Sequence, residues 1–258
     1  MTIKLRILGC GPSAGIPSIG HRWGDCDPHN PKNVRTRCSV LFQVNGKNIL
    51  VDTSPDLRQQ LLAANVSDID AVLFTHTHGD HVHGFNDLGL ISRLKKEKIP
   101  IYGTEETIKE LENVFAYAFK NVGHYASFVT PHVIKPGKFD VAGIPIIAFE
   151  QDHRFGTTLG FRVGDVAYST DVWALSEEAF RILKGVKIWV VDCLGYEPHL
   201  THSYLEQTLS WIDRVNPERA ILTHMGVELD YETLRRELPK GVEPAYDGLE
   251  VDLKTSAS

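Results

Sequence analysis

The segment VLFTHTHGDHVHG, residues 72–84, constrains the fold of this chain more than any other. It opens as the last residues of a buried β-strand and then packs four histidines and an aspartate into the positions that follow. Ligand-type side chains crowded where an apolar run stops point to a site at a strand end, with a rigid sheet behind it.

Apolar runs of strand type recur along the chain at 3–9, 38–44, 47–52, 69–75, 144–150, 159–163, 166–170, 187–192 and 219–223. Helical patterns fill 56–64, 86–97, 104–120, 176–184, 203–214 and 231–237. Short strands interspersed with helices predict an α/β or α+β layered fold. Asn45-Gly46 between LFQV and KNILVD carries the signature of a hairpin with a type I′ turn, so the sheet is expected to be mixed. There is no internal repeat or low-complexity linker, and residues 1–258 read as one domain. Asp52, His76, Asp171, Asp192 and His224 each stand at or just after the end of a strand-type run. Strand ends of one sheet share an edge, and that edge is where layered folds collect ligands.

Charge limits the partners. With 27 basic and 33 acidic residues, a formal net charge of -6, the chain has no extended nucleic-acid surface, and an anionic substrate must be met locally. No apolar run approaches the ~18 residues of a membrane span, and no apolar leader follows Met1, so no membrane contact and a cytoplasmic location are expected. Cys10, Cys26, Cys38 and Cys193 form no C-x-x-C pair and read as reduced, buried thiols.

The residues at 76–81 suit a metal. His76-x-His78-x-Asp80-His81 offers neutral imidazole nitrogens and a carboxylate, the ligand types of zinc, manganese and iron. With the strand ending near Thr75 and the chain turning at Gly79 toward a helix, His76 and His78 can face one point, and Asp80 and His81 another. That spacing suits two metals, with a single-metal or purely structural cluster as the alternative.

His76-Thr77-His78-Gly79-Asp80-His81 resembles the H-x-H-x-D-H signature of the metallo-β-lactamase superfamily. The resemblance runs over nearly the whole chain, through Asp52 in ILVDTSP, His153 in FEQDHRFGTTLGF, Asp171 in AYSTDV and His224 in ILTHMG. It implies an αββα sandwich with a dinuclear site. His76, His78 and His153 would bind one metal, and Asp80, His81 and His224 the other. Asp171 would bridge, and Asp52 would orient ligands from behind.

Within the superfamily, LGCGPSAGIPSIG at 8–20, TRCSVLF at 36–42 and DCLGYEPHLTHSYLEQTL at 192–209 resemble the PhnP branch of phosphodiesterases. Those enzymes are similar to transfer-RNA 3′-processing nucleases but act on cyclic phosphates of ribose and on small nucleotide diesters. The resemblance implies a catalytic or phosphate-contacting role for His202, at the start of a helical pattern. His199 beside it reads as a solvent-facing residue. One departure stands out, because relatives of this branch hold a structural zinc with a cysteine cluster near residue 25 and a histidine three positions beyond the last ligand. Here HRWGDCDPHNP offers Cys26 alone, and the later position is Val227. The loop is expected to fold without metal, and His21, Asp25, Cys26 and His29 are the residues from which a rebuilt site would come.

The resemblance thus implies a small phosphodiester or nucleotide as substrate, two divalent ions per chain, zinc or manganese, and hydrolysis by water, with a homodimer as an open expectation. His202 would stabilise phosphate charge or protonate the leaving oxygen, and Asp80 would accept a proton from the nucleophilic water. Residues 114–133, VFAYAFKNVGHYASFVTPHV, read either as a lid presenting Tyr117, His124 and Tyr125 to a sugar or base, or as a core-packing helix. Three other functions share the fold: a thioester, lactone or β-lactam hydrolase, a transfer-RNA-processing-type nuclease, and a non-catalytic protein, which would show eroded ligands. A flavodiiron enzyme ranks last, since no flavodoxin-like region is present.

Overall fold

The computed structural model describes residues 2–254 except 122, 124 and 125, and two mixed sheets form its centre. The first runs in the order β14-β1-β2-β3-β4-β5-β6, with β1 Thr2–Gly9, β2 Ser39–Val44, β3 Lys47–Val51, β4 Ala71–Leu73, β5 Ile99–Gly103, β6 Val129–Val133 and β14 Glu250–Lys254. The second runs β13-β12-β11-β10-β9-β8-β7, with β7 Gly137–Val141, β8 Ile144–Asp152, β9 Thr157–Val163, β10 Val166–Ser169, β11 Ile188–Asp192, β12 Arg219–Thr223 and β13 Val242–Pro244. Asn45 and Gly46, both at positive φ (50° and 78°), close the β2–β3 hairpin with Val44 opposite Lys47. That is the backbone a type I′ turn requires.

Period-two alternation builds the layers. Val40, Phe42, Val44, Ile49, Val51, Ala71 and Leu73 point inward and join Ile146, Ala148, Phe161 and Val163 of the second sheet in one buried cluster. The residues between them, Leu41, Leu50 and Val72, point outward into a second cluster. There they meet Leu57 and Leu61 of α1 (Leu57–Ala63), Leu88 and Ile91 of α3 (Leu88–Lys95), and Ile108 and Leu111 of α4 (Glu105–Val114). On the other flank, α6 (Glu177–Leu183), α7 (Leu205–Val215) and α8 (Tyr231–Glu237) set Leu183, Trp211, Ile212 and Leu234 against the second sheet. Each such side chain removed from water contributes about 1.5–3 kcal/mol. The result is the four-layer αββα sandwich that the motifs imply.

Several expectations need correction. The strand ends bearing the site belong to two sheets, since Asp52 and His76 follow β3 and β4 while Asp171, Asp192 and His224 lie at the ends of β10, β11 and β12. Strands β5, β6, β7, β13 and β14 escape the sequence pattern: IPIYG and VTPHV carry prolines and GKFDV is largely polar, and all but β5 stand at sheet edges. The helix expected at 104–120 breaks at Phe115 into α4 and a short α5 (Ala116–Phe119).

Phe115, Phe119 and Phe128 pack around Phe85, so this part of 114–133 serves the core, and Tyr117 bonds to Asn86 in a cavity apart from the histidines. His124 and Tyr125 lie outside the described residues.

Loop 24–35 is stitched to 226–231. Asp25 N and Cys26 Sγ both donate to Val227 O at 2.9 and 3.4 Å, and Asn33 Nδ2 donates to Asp230 Oδ2 at 2.7 Å. Arg35, fully buried, donates to Leu229 O at 2.6 Å and Gly226 O at 3.3 Å. All four cysteines are buried and unpaired. Among the described residues, no helix is long and apolar enough to cross a membrane.

Candidate metal centre and its histidine neighbour

Three site residues leave their strands through the left-handed region, with φ of 62° at Asp52, 52° at Asp171 and 55° at His224. Such a turn costs a non-glycine residue about 1–2 kcal/mol and swings the side chain out of the pleat toward the sheet edge. The strand β4 gives way at Phe74, and Thr75 O then accepts from Leu159 N of β9 at 3.0 Å, tying the two sheets together at the site. A single helical turn, α2 (Gly79–Val82), offsets Asp80 and His81 from His76 and His78. Gly84 closes this loop by lying against Ser54, where a Cβ would stand 2.0 Å from the Ser54 carbonyl oxygen.

Two groups of ligating atoms result. His76, His78, His153 and Asp171 form one, and Asp80, His81, His224 and Asp171 the other, with the atoms of each within 4.8 Å of one another. Asp171 belongs to both, its Oδ1 3.0 Å from His81 Nε2 and its Oδ2 3.6 Å from His76 Nε2. Each group brings together the residues that the resemblance places at one metal.

Asp52 fixes two of the imidazoles from behind. Its Oδ2 accepts from His81 Nδ1 at 2.7 Å and from Thr75 Oγ1 at 2.7 Å, while Thr75 Oγ1 pairs with His76 Nδ1 at 2.9 Å. Both rings are thereby held with Nε2 facing the cluster, the arrangement by which outer carboxylates orient metal-ligating histidines. His76 Nε2, His81 Nε2 and His224 Nε2 are buried without a hydrogen-bond partner. Buried polar atoms are nearly always paired, so three orphaned lone pairs converging on two carboxylates fit a divalent cation.

The electrostatics agree. Burial, reinforced by the nearby His81, holds His76 well below the ordinary imidazole range, and burial lowers His153 too, so both are neutral ligand bases. Burial opposes charge on His81 and His224 as well, but the surrounding carboxylates, Asp171 foremost, together outweigh it. Asp171 with Asp52 raises His81 well above its usual value, and with Asp80 and Asp192 it lifts His224 to about 9. Burial likewise opposes ionisation of Asp171, yet His224, His81 and His76 hold its carboxyl well below the usual range. A divalent cation requires these imidazoles in their neutral form, so metal uptake at this cluster is expected to depend on pH.

A third group was only half visible in the sequence. His202 lies in the turn before α7, and its Nδ1 donates to Asp192 Oδ2 at 3.2 Å while its Nε2 stands 3.8 Å from Asp171 Oδ2. Its ring stacks on His224 with centroids 4.5 Å apart. In the sequence Asp192 is a strand-end aspartate without a role, and only the fold reveals its partner. His199 is exposed, its ring 5.4 Å from that of His202.

The fold and the paired His/Asp clusters define an αββα protein with a candidate two-metal centre. Residues 47–225 match the model of the Beta-lactamase superfamily domain. A crystal structure described as a new diphosphatase from the PhnP family superposes with a TM-score of 0.92 at 32% identity, covering 98% of each chain. An octanoyltransferase of Porphyromonas gingivalis is 31% identical over 95% of this chain, which spans only 50% of that protein. Coenzyme PQQ synthesis protein B of Cupriavidus necator is 25% identical over 97% of this chain and 99% of its own length. The chain belongs to the metallo-β-lactamase superfamily, in its PhnP-like branch.

Proposed function

We propose that the protein hydrolyses small phosphodiesters, cyclic ribose phosphates or nucleotide diesters, at a two-metal centre. One ion, zinc or manganese, would be held by His76, His78 and His153, a second by Asp80, His81 and His224, with Asp171 shared, and together they would supply a water nucleophile at neutral pH and neutralise phosphate charge.

The chain's own residues divide the remaining work. Asp80, its side chain 10% exposed, accepts the proton of the attacking water. His202 lies outside both ligand groups, and Asp192 fixes its Nδ1–H, leaving Nε2 to protonate the leaving oxygen or to meet the charge on the phosphate. The Asp192–His202 pair beside the clusters is the observation that carries this reading, since a positioned imidazole can protonate the leaving oxygen or meet the phosphate charge. The likeness to a PhnP-family diphosphatase supports the same chemistry.

A net charge of -6 supports a small substrate rather than an extended nucleic acid, and four buried, unpaired cysteines support a reducing compartment such as the cytoplasm. Acyl transfer through a thioester would require an accessible thiol, which the buried cysteines do not offer.

The test is a substrate panel on metal-reconstituted protein: cyclic ribose phosphates, 2′,3′-cyclic nucleotides and bis(p-nitrophenyl) phosphate against thioesters, lactones and nitrocefin. Turnover confined to the second group would overturn the proposal.

A further inference from the structure

The histidines of the first ligand group open onto a cleft of about 250 Å³ that Phe155 also lines. Phe155 is 81% exposed, although it lies only two positions beyond His153. A phenylalanine so placed leaves most of its apolar surface in water, and a monomer gains nothing from holding it there.

It is nevertheless held. The loop turns at Arg154 with φ 67°, Arg154 N donates to Asp152 Oδ1 at 2.6 Å, Phe155 N to His153 O at 2.9 Å, and His153 N to Gly156 O at 3.0 Å. The strand before it is clamped through Trp173 N to Asp152 O at 2.7 Å. Arg154 latches the rim by donating to Leu200 O at 3.4 Å, and its guanidinium lies 5.2 Å from the Trp173 ring and 5.9 Å from that of Phe155. An exposed aromatic ring on a backbone fixed in advance, beside a cation, is a stacking platform, because little of the loop has to be ordered at the moment of binding.

Thr104, Glu106, Thr107, Thr157 and Thr201 also line the cleft, polar groups able to meet ring nitrogens and exocyclic atoms. Its volume lies below the ~300–1,000 Å³ of clefts that hold whole drug-sized ligands, so it suits one moiety and not a dinucleotide.

Resting on the phosphodiesterase reading, we infer that Phe155 is a specificity-determining residue that stacks on the nucleobase of the substrate arm retained on the phosphate, so that base-bearing diesters are preferred over alkyl diesters with the same leaving group.

Two substrates isolate this contact: thymidine 5′-(p-nitrophenyl phosphate) and methyl p-nitrophenyl phosphate. Both release p-nitrophenolate, and only the first carries a base. The wild-type protein should favour the thymidine ester in kcat/KM, chiefly through KM. In Phe155→Ala that preference should fall by a factor on the order of 10 to 100, the range for one base stacked on one aromatic ring, and Phe155→Trp should restore it. Because Phe155 is exposed, neither variant should change the melting temperature. Titration of the metal-loaded proteins with thymidine 5′-monophosphate gives a second readout, with weaker binding expected in Phe155→Ala only.

Equal preference in wild type and Phe155→Ala, with both esters turned over, would overturn the base subsite and leave the phosphodiesterase reading standing. Failure of the wild type to hydrolyse any diester would remove that reading and the subsite with it.

Discussion

His202 Nδ1 meets Asp192 Oδ2 at 3.2 Å, and the same carboxylate oxygen accepts from the backbone N–H groups of Ser203 at 3.2 Å and Val172 at 3.3 Å. One aspartate at the end of β11 therefore fixes the tautomer of the histidine and the turn that carries it. Asp192→Asn should lower kcat by about 10- to 100-fold, the usual cost of losing an orienting carboxylate, with KM changed less. Steady-state kinetics on a cyclic ribose phosphate checks this, and a change confined to KM would deny Asp192 its positioning role.

His202→Ala should retain its metals, because His202 lies outside the two principal ligand groups. Turnover should fall by a factor on the order of 10² to 10⁴ for alkoxide leaving groups and by much less for p-nitrophenolate, which needs little protonation. Equal losses on both would assign His202 to phosphate charge instead, and near-wild-type turnover on a cyclic ribose phosphate would discard it as a catalytic residue.

Asp171 offers an oxygen to each ligand group, so Asp171→Ala should abolish activity and reduce metal content from the two ions per chain expected of the wild type. Elemental analysis after dialysis against chelator and reconstitution measures both. Unchanged stoichiometry in the variant would mean that Asp171 is not shared.

Asp247 makes the stability depend on pH. Burial raises its carboxyl to about 6, against the hydrogen bonds it accepts from Thr36 and Cys10. The folded state thus binds its proton more tightly than the unfolded chain, whose aspartates titrate near 3.9. Stability from this group is fully present below about pH 4 and is lost as pH rises through 6, by at most about 3 kcal/mol, and by less to the extent that water reaches the carboxylate. Urea unfolding of chelated wild type and Asp247→Asn between pH 4 and 7 should show wild type gaining on the variant as pH falls. The site histidines are common to both and cancel in the difference. A difference independent of pH would refute the shift.

The sequence by itself marked the candidate ligands: His76, His78, Asp80 and His81 are neighbours along the chain, Asp171 and His224 follow apolar runs, and His153 is found through its motif. Residue type and strand periodicity are local properties, so they survive in one dimension, as does the Asn45-Gly46 hairpin. Tertiary structure alone decided what faces what. The ends of two sheets, not one, meet at the site, because the Val40–Val51 hairpin and the Phe161–Val163 strand bury their inward faces against each other. Asp192 and His202, ten residues apart, become partners only when β11 and the turn before α7 share an edge. The exposure of Phe155 was equally hidden, since a phenylalanine beside a strand end reads as core until the packing around it is known. Burial and approach are sums over distant contacts, and no window of sequence contains them.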